Sequence, residues 1–115
     1  MKKEFRIKKN KEIEKVLTNK KSISNEYFRI CIYKNSETSH FRYAISVGKK
    51  VGNAVTRNKV KRRLRALFLE YSKKININYD FFLIAKPKII DLKYSDLDTL
   101  FFSQIRKLIS RGEKQ

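Results

Sequence analysis

Apolar residues recur along this chain with two periods, and each change of period marks a change of element. Over residues 26–33 they alternate, with Phe28, Ile30 and Ile32 on one side and Tyr27, Arg29, Cys31 and Tyr33 on the other. That pattern predicts a strand whose first side meets a core. The second side mixes aromatic and basic groups, which suits base stacking with phosphate contact and equally suits an ordinary half-exposed strand. Residues 34–40 are a polar turn. Residues 41–47 give a second strand with Phe41, Tyr43, Ile45 and Val47 inward, and a hairpin is the simplest way to join the two.

After residue 53 the period becomes helical. Val60, Leu64, Leu67, Phe68 and Tyr71 form one apolar stripe at about 100° per residue, which must face a core. Asn53 is placed to cap that helix, after Gly52 lets the backbone turn. Residues 73–78 break the pattern. Residues 79–85 are apolar on both faces, as an interior strand would be, and Pro87 ends them because it cannot donate to a ladder. Ser95 then caps a last helix with Leu97, Phe101, Ile105, Leu108 and Ile109 inward, Asp98 at the capping-box position and Asp96 near the positive end.

At the other end, residues 1–9 form a basic arm that is poorly ordered unless something binds it. Asn10 caps a short helix to about residue 19, with Ile13, Val16 and Leu17 on one apolar edge. Residues 20–25 are expected as a loop and residues 111–115 as a flexible tail. No internal repeat or second domain is visible, so residues 1–115 make a single domain: an α+β sandwich with helices packed on one sheet.

Charge changes this picture most. Lys and Arg number 29 against 11 Asp and Glu, a formal net charge of +18. So large an excess repels itself and calls for a polyanionic partner. Nucleic acid is the first candidate. A membrane surface fits less well, because there is no long apolar run and the basic helix commits its other face to a core. The single cysteine, Cys31, excludes an intramolecular disulfide and a metal-ligand pair, and the single histidine, His40, sits in a polar loop. The N-terminal stretch is charged from Lys2 onward and lacks the apolar segment of a signal peptide, so a reducing, cytoplasmic compartment is expected.

Residues 47–65 hold two of the 3 glycines and the densest run of positive charge, with no Asp or Glu between Thr38 and Leu69. On the helical wheel Arg57, Asn58, Lys61, Arg62 and Arg65 gather beside the apolar stripe, while Lys59 and Arg63 fall on the opposite flank as ordinary solvated charge. Lys49 and Lys50 lie in the preceding loop, where free N–H groups and the helix dipole favour an anion. Basic residues in the first turn oppose that dipole unless an anion neutralises them, a local conflict that marks function.

The arrangement Lys49-Lys50-x-Gly52-x-Ala54-Val55-x-Arg57-Asn58-x-x-Lys61-Arg62-x-x-Arg65 resembles the signature of the bacterial ribonuclease P protein family, small basic partners of a catalytic RNA. The order of elements and the chain length resemble that family too. The resemblance implies an αβββαβα two-layer sandwich with a left-handed βαβ crossover, a handedness that the usual rule would reverse. It implies contact with the RNA subunit through Lys49, Lys50, Arg57, Asn58, Lys61, Arg62 and Arg65. Asn53 and Lys59, in the same stretch, complete the candidate RNA-binding set. It further implies a cleft for the single-stranded 5′ leader of precursor tRNA, between the first helix, the open strand face and the signature helix, with Ile13, Leu17, Arg29 and Cys31 as walls.

Three departures from the family pattern stand out. Lys59 replaces the last arginine of an Arg-Asn-Arg core and loses its planar fork. Ile13 and Leu17 replace common aromatics, and Cys31 replaces a common tyrosine. Tyr27 and Tyr33, expected on the same strand face, are then the rings available for stacking.

No catalytic residue is expected in the protein, since a nuclease site needs clustered carboxylates or an acid and a base together, and the acids here are scattered. The resemblance instead implies metal-dependent hydrolysis by the RNA subunit, with Mg2+ held mainly by RNA. The expected partners are the catalytic RNA and precursor tRNA, with no membrane and no protein partner. A generic RNA-binding or ribosomal-type protein is the alternative. A self-sufficient nuclease and a helix-turn-helix DNA reader fit less well, the latter because a strand and glycine loop precede the basic helix.

Overall fold

The strand expected to be interior lies at the centre of a four-stranded sheet in the order β1-β2-β4-β3. The strands are β1 (Ser22–Ser24), β2 (Phe28–Lys34), β3 (Arg42–Val47) and β4 (Tyr79–Ala85), and the helices are α1 (Ala54–Lys74) and α2 (Tyr94–Glu113). This computed structural model describes residues 21–34, 40–74 and 79–113, with side chains apart from residues 74 and 111–113. The expected arm at residues 1–9 and the expected first helix, with Ile13 and Leu17, lie outside the described residues.

β2 does not pair with β3. It runs antiparallel to β1 on one edge and to β4 on the other, with Phe28 opposite Ala85 and Lys34 opposite Tyr79. β3 runs parallel to β4, with Val47 opposite Ala85. The expected hairpin is therefore replaced by a crossover in which α1 carries the chain from β3 to its parallel neighbour. Alternation reveals which face a strand buries, whereas the choice of neighbour follows from β4, whose two apolar faces favour the centre of the sheet.

β1 occupies part of the stretch expected as a loop. It is too short for alternation to be seen, yet Ile23 packs on the core while Ser24 is exposed. The turn into β2 is shaped by Asn25, whose Oδ1 accepts the N–H groups of Tyr27 and Phe28 at 2.7 and 2.9 Å. The Lys86 ammonium closes over this turn, donating to Ser24 Oγ at 2.6 Å and to the Asn25 carbonyl at 2.5 Å.

The inner face of the sheet meets both helices in one core. Phe28, Ile30, Ile32, Tyr43, Phe81 and Leu83 are buried against Leu64, Leu67 and Phe68 of α1 and Leu97, Phe101, Ile105 and Leu108 of α2. The helical stripes thus face inward as expected. Phe68 sits at the hub, stacked on Tyr43 with centroids 4.4 Å apart and edge-on to Phe101 at 5.0 Å.

α2 begins one residue before Ser95. The Leu97 N–H donates to the Lys93 carbonyl at 2.9 Å, so Lys93 holds the cap position and the Ser95 carbonyl accepts from Thr99 Oγ1 at 3.1 Å. Asp98 is accordingly free of capping and pairs with α1. The helix continues through Glu113, into the stretch expected as a tail.

Candidate nucleic-acid interface

The loop before α1 is short, and one apolar residue holds it. Val51 ends the 3-10 turn Lys49–Val51 and is buried, its N–H donating to the Gly48 carbonyl at 3.1 Å. A second 3-10 turn, Pro87–Asp91, packs beside it through the buried Ile89. With the apolar residue sunk into the core, Lys49 and Lys50 are left exposed.

Asn53 caps α1 as expected. Its Oδ1 accepts the Thr56 N–H at 2.9 Å, and its carbonyl accepts the Arg57 N–H at 2.9 Å. The side-chain oxygen is committed to the helix, so the amide nitrogen is what Asn53 can offer to RNA. Gly52 has a different role from the one expected. Its backbone is extended, with φ 160° and ψ −168°, a conformation open to any residue. A Cβ there would stand 2.9 Å from Thr56 Cγ2 and 3.0 Å from Thr56 Cβ, so glycine is required by the close approach of the capped turn.

Along α1, Arg57, Lys61 and Arg65 follow one another at a spacing of four and are half-buried beside the apolar stripe, with the Arg57 Nε buried. Asn58 and Arg62 form the next row and are exposed. The first turn contains no acid. Among the described residues, no ion pair engages Lys49, Lys50, Arg57, Lys59, Lys61, Arg62 or Arg65. The result is a set of donors and positive charges on one helix, suited to binding phosphate. Among the described residues, no three His, Cys, Asp or Glu side chains gather where a metal ion could sit.

Lys59 and Arg63 lie on the other flank, and Arg63 is not ordinary solvated charge. Its Nη2 donates to Asp98 Oδ2 of α2, and its guanidinium lies 5.2 Å from the ring centroid of Tyr94. An acid far away in sequence therefore reaches the basic helix, which linear spacing could not reveal. An open groove of about 310 Å³ runs along this flank, lined by Lys59, Arg62, Arg63, Ala66 and Tyr94.

The candidate leader residues separate. Arg29, Cys31 and Tyr33 point to the face of β2 opposite the one covered by α1 and α2, and the first helix, the other wall of the expected cleft, lies outside the described residues. Arg29 is exposed, with Nη2 3.5 Å from Ser22 Oγ. Cys31 is fully buried, packed against Tyr33, Ala44 and Phe82, and offers no surface to a ligand as the chain stands. Burial pushes its thiol above the ordinary value of 9.0, and the nearby Arg29 pulls it the other way. Tyr27 precedes the strand and packs on the main core, so it does not share a face with Tyr33.

Comparison with known proteins places these features in one family. The family model described as Ribonuclease P matches residues 1–111. The ribonuclease P protein component of Macrococcus caseolyticus is 50% identical over 98 residues, covering 85% of this chain and 84% of that protein. That of Acholeplasma laidlawii is 42% identical over 113 residues, covering 98% and 93%. In three dimensions the chain is similar to the RNase P protein of Staphylococcus aureus, with a TM-score of 0.81 and 33% identity over 89% of this chain and 93% of the other.

Proposed function

The chain belongs to the ribonuclease P protein family, and from that premise we propose how its surfaces divide the work. It is the protein subunit of an endoribonuclease that matures the 5′ end of tRNA, and its partner is the ribonuclease P RNA. The cationic side of α1, with Lys49 and Lys50 before it, binds that RNA. The outer face of the sheet around Arg29 and Tyr33 takes the single-stranded 5′ leader of precursor tRNA.

What supports this reading is that Arg57, Lys61, Arg62 and Arg65 have no carboxylate partner among the described residues, on a helix anchored by the buried Leu64, Leu67 and Phe68. Partly buried like charges repel one another, and a polyphosphate strand removes that repulsion while releasing its own counterions. The helix start adds N–H groups and a positive dipole end to the same surface. The exposed Arg29 and the half-buried Tyr33, at two points along the same face of β2, supply a charge and a ring to an unpaired strand.

Hydrolysis of the phosphodiester belongs to the RNA subunit, and the magnesium ions of the holoenzyme are held mainly by RNA. The protein's described acids do not fit such a site, since Asp80 and Asp98 are engaged by arginines and no ligand trio gathers. Its contribution is to neutralise phosphate charge where two RNA molecules meet and to hold the leader in register. The reaction takes place in the cytoplasm; among the described residues no helix is long and apolar enough to cross a membrane.

The test is cleavage of a precursor tRNA at low magnesium by the protein alone, a bacterial ribonuclease P RNA alone, and the two together. Efficient cutting at the mature 5′ end is expected only from the mixture, with the protein's effect shrinking as the leader is shortened. Cutting by the protein alone, or a protein that adds nothing to the RNA, would overturn the assignment.

A further inference from the structure

The groove between α1 and the start of α2 has no part in the surfaces described above except through Lys59 and Arg62. Lys59, Arg62, Arg63 and Ala66 line it at helical spacings of three, four and seven, and Tyr94 closes it from α2. Its volume of about 310 Å³ is at the low end for small-ligand sites, which run from roughly 300 to 1,000 Å³. That is room for a single flat group with a charged attachment.

Each lining residue contributes a distinct property. Tyr94 is 55% exposed, unusual for a large ring, and is held in place by Arg63, which lies over it and is tied by Asp98. Ala66 keeps the floor low. The charge of Arg63 is answered by Asp98, whereas Lys59 and Arg62 are exposed and have no ion pair among the described residues. Arg63 Nε and Asp98 Oδ1 are both buried within this pair and make no hydrogen bond among the described residues.

We propose that this groove binds one unpaired nucleotide of an RNA strand, its base on the Tyr94 ring and its phosphate between Lys59 and Arg62. The proposal rests on the RNA-binding reading of α1 and carries it round to the opposite flank and onto α2. A ring steadied by a guanidinium, next to two uncommitted cations, matches the stacking-plus-phosphate chemistry of single-stranded RNA sites. An acidic peptide would meet the cations but leave the ring without a partner.

The chain contains no tryptophan, so Tyr94→Trp places a single emitting indole in the groove of the full-length protein. This variant is titrated with single-stranded oligoadenylate and, separately, with an abasic ribose-phosphate strand of the same length. Oligoadenylate is expected to quench the indole and the abasic strand to leave it bright. Tyr94→Ala should weaken oligoadenylate binding about tenfold, while Tyr94→Phe retains it and thereby separates loss of the ring from loss of the fold. Lys59→Ala should weaken both strands alike. An unquenched indole together with unchanged affinity in Tyr94→Ala overturns the groove, while the reading of α1 survives if Lys61→Ala and Arg65→Ala still weaken both strands. Equal quenching by oligoglutamate also overturns it, in favour of an acidic peptide. A wild-type chain that binds neither strand overturns both readings together.

Discussion

Arg42 and Asp80 stand opposite each other across the parallel β3–β4 ladder and meet as a two-pronged ion pair. Arg42 Nε donates to Asp80 Oδ1 at 3.0 Å and Nη2 donates to Oδ2 at 2.8 Å, with Asp80 only 1% exposed. A carboxylate that deep is tolerated because a planar fork satisfies both oxygens at once. Asp80→Ala should therefore cost about 3 to 5 kcal/mol in a denaturant titration, since it removes the two-pronged carboxylate from a largely buried guanidinium. Replacing both residues by apolar ones of similar size should recover most of that loss, and a double variant as unstable as the single one would show that the pair itself is not the reason.

The contact between Gly52 and Thr56 makes a second prediction. Gly52→Ala drives a methyl group into Thr56 Cγ2 and should destabilise the domain by about 1 to 3 kcal/mol, as overpacking does. Thr56→Ser removes the methyl that is struck, so the pair of substitutions should be less destabilised than Gly52→Ala alone. Thermal melts of the three variants decide it, and an additive double variant would place the cost in the backbone instead.

Lys61 and Arg65 project from α1 beside the buried stripe without carrying it. Lys61→Ala and Arg65→Ala should leave the urea midpoint nearly unchanged, yet each should weaken binding to ribonuclease P RNA by about 1 to 3 kcal/mol and lower the salt slope by roughly one. Binding measured over a salt series gives both quantities. An unchanged slope in both variants would remove phosphate contact from this side of the helix.

Cys31 makes a prediction about pH. Its thiol is held protonated above the ordinary value of 9.0, chiefly by burial and against the pull of Arg29. The folded state then binds more protons than the unfolded state as pH rises through that ordinary value, so the stabilisation present below it is lost above it. Urea midpoints taken across the alkaline range should fall, and Cys31→Ala should fall less steeply. Parallel curves for the two proteins would mean that this thiol titrates alike folded and unfolded.

Much of the architecture was legible because it depends on periodicity and on chemistry within a few residues. The stripe from Val60 to Tyr71 and the inward faces of β2 and β3 follow from apolar spacing, and the interior position of β4 from a run apolar on both sides. The Asn53 cap follows from one side chain reaching three residues along the chain. The signature from Lys49 to Arg65 identified the family because its residues lie on one loop and helix, where linear spacing maps directly onto a surface. What only the tertiary structure decided are matters of neighbourhood. The insertion of β4 between β2 and β3, the recruitment of Ser22–Ser24 as an edge strand and the burial of Cys31 depend on which elements meet, and that is settled by the joint burial of distant apolar faces. The pairs Arg42–Asp80 and Arg63–Asp98 join residues 38 and 35 positions apart. Asp80 went unread within a strand taken as apolar on both faces, and only the fold could name Arg42 as its partner, just as only the packing of α2 on α1 could turn Arg63 from solvated charge into the clamp that holds Tyr94.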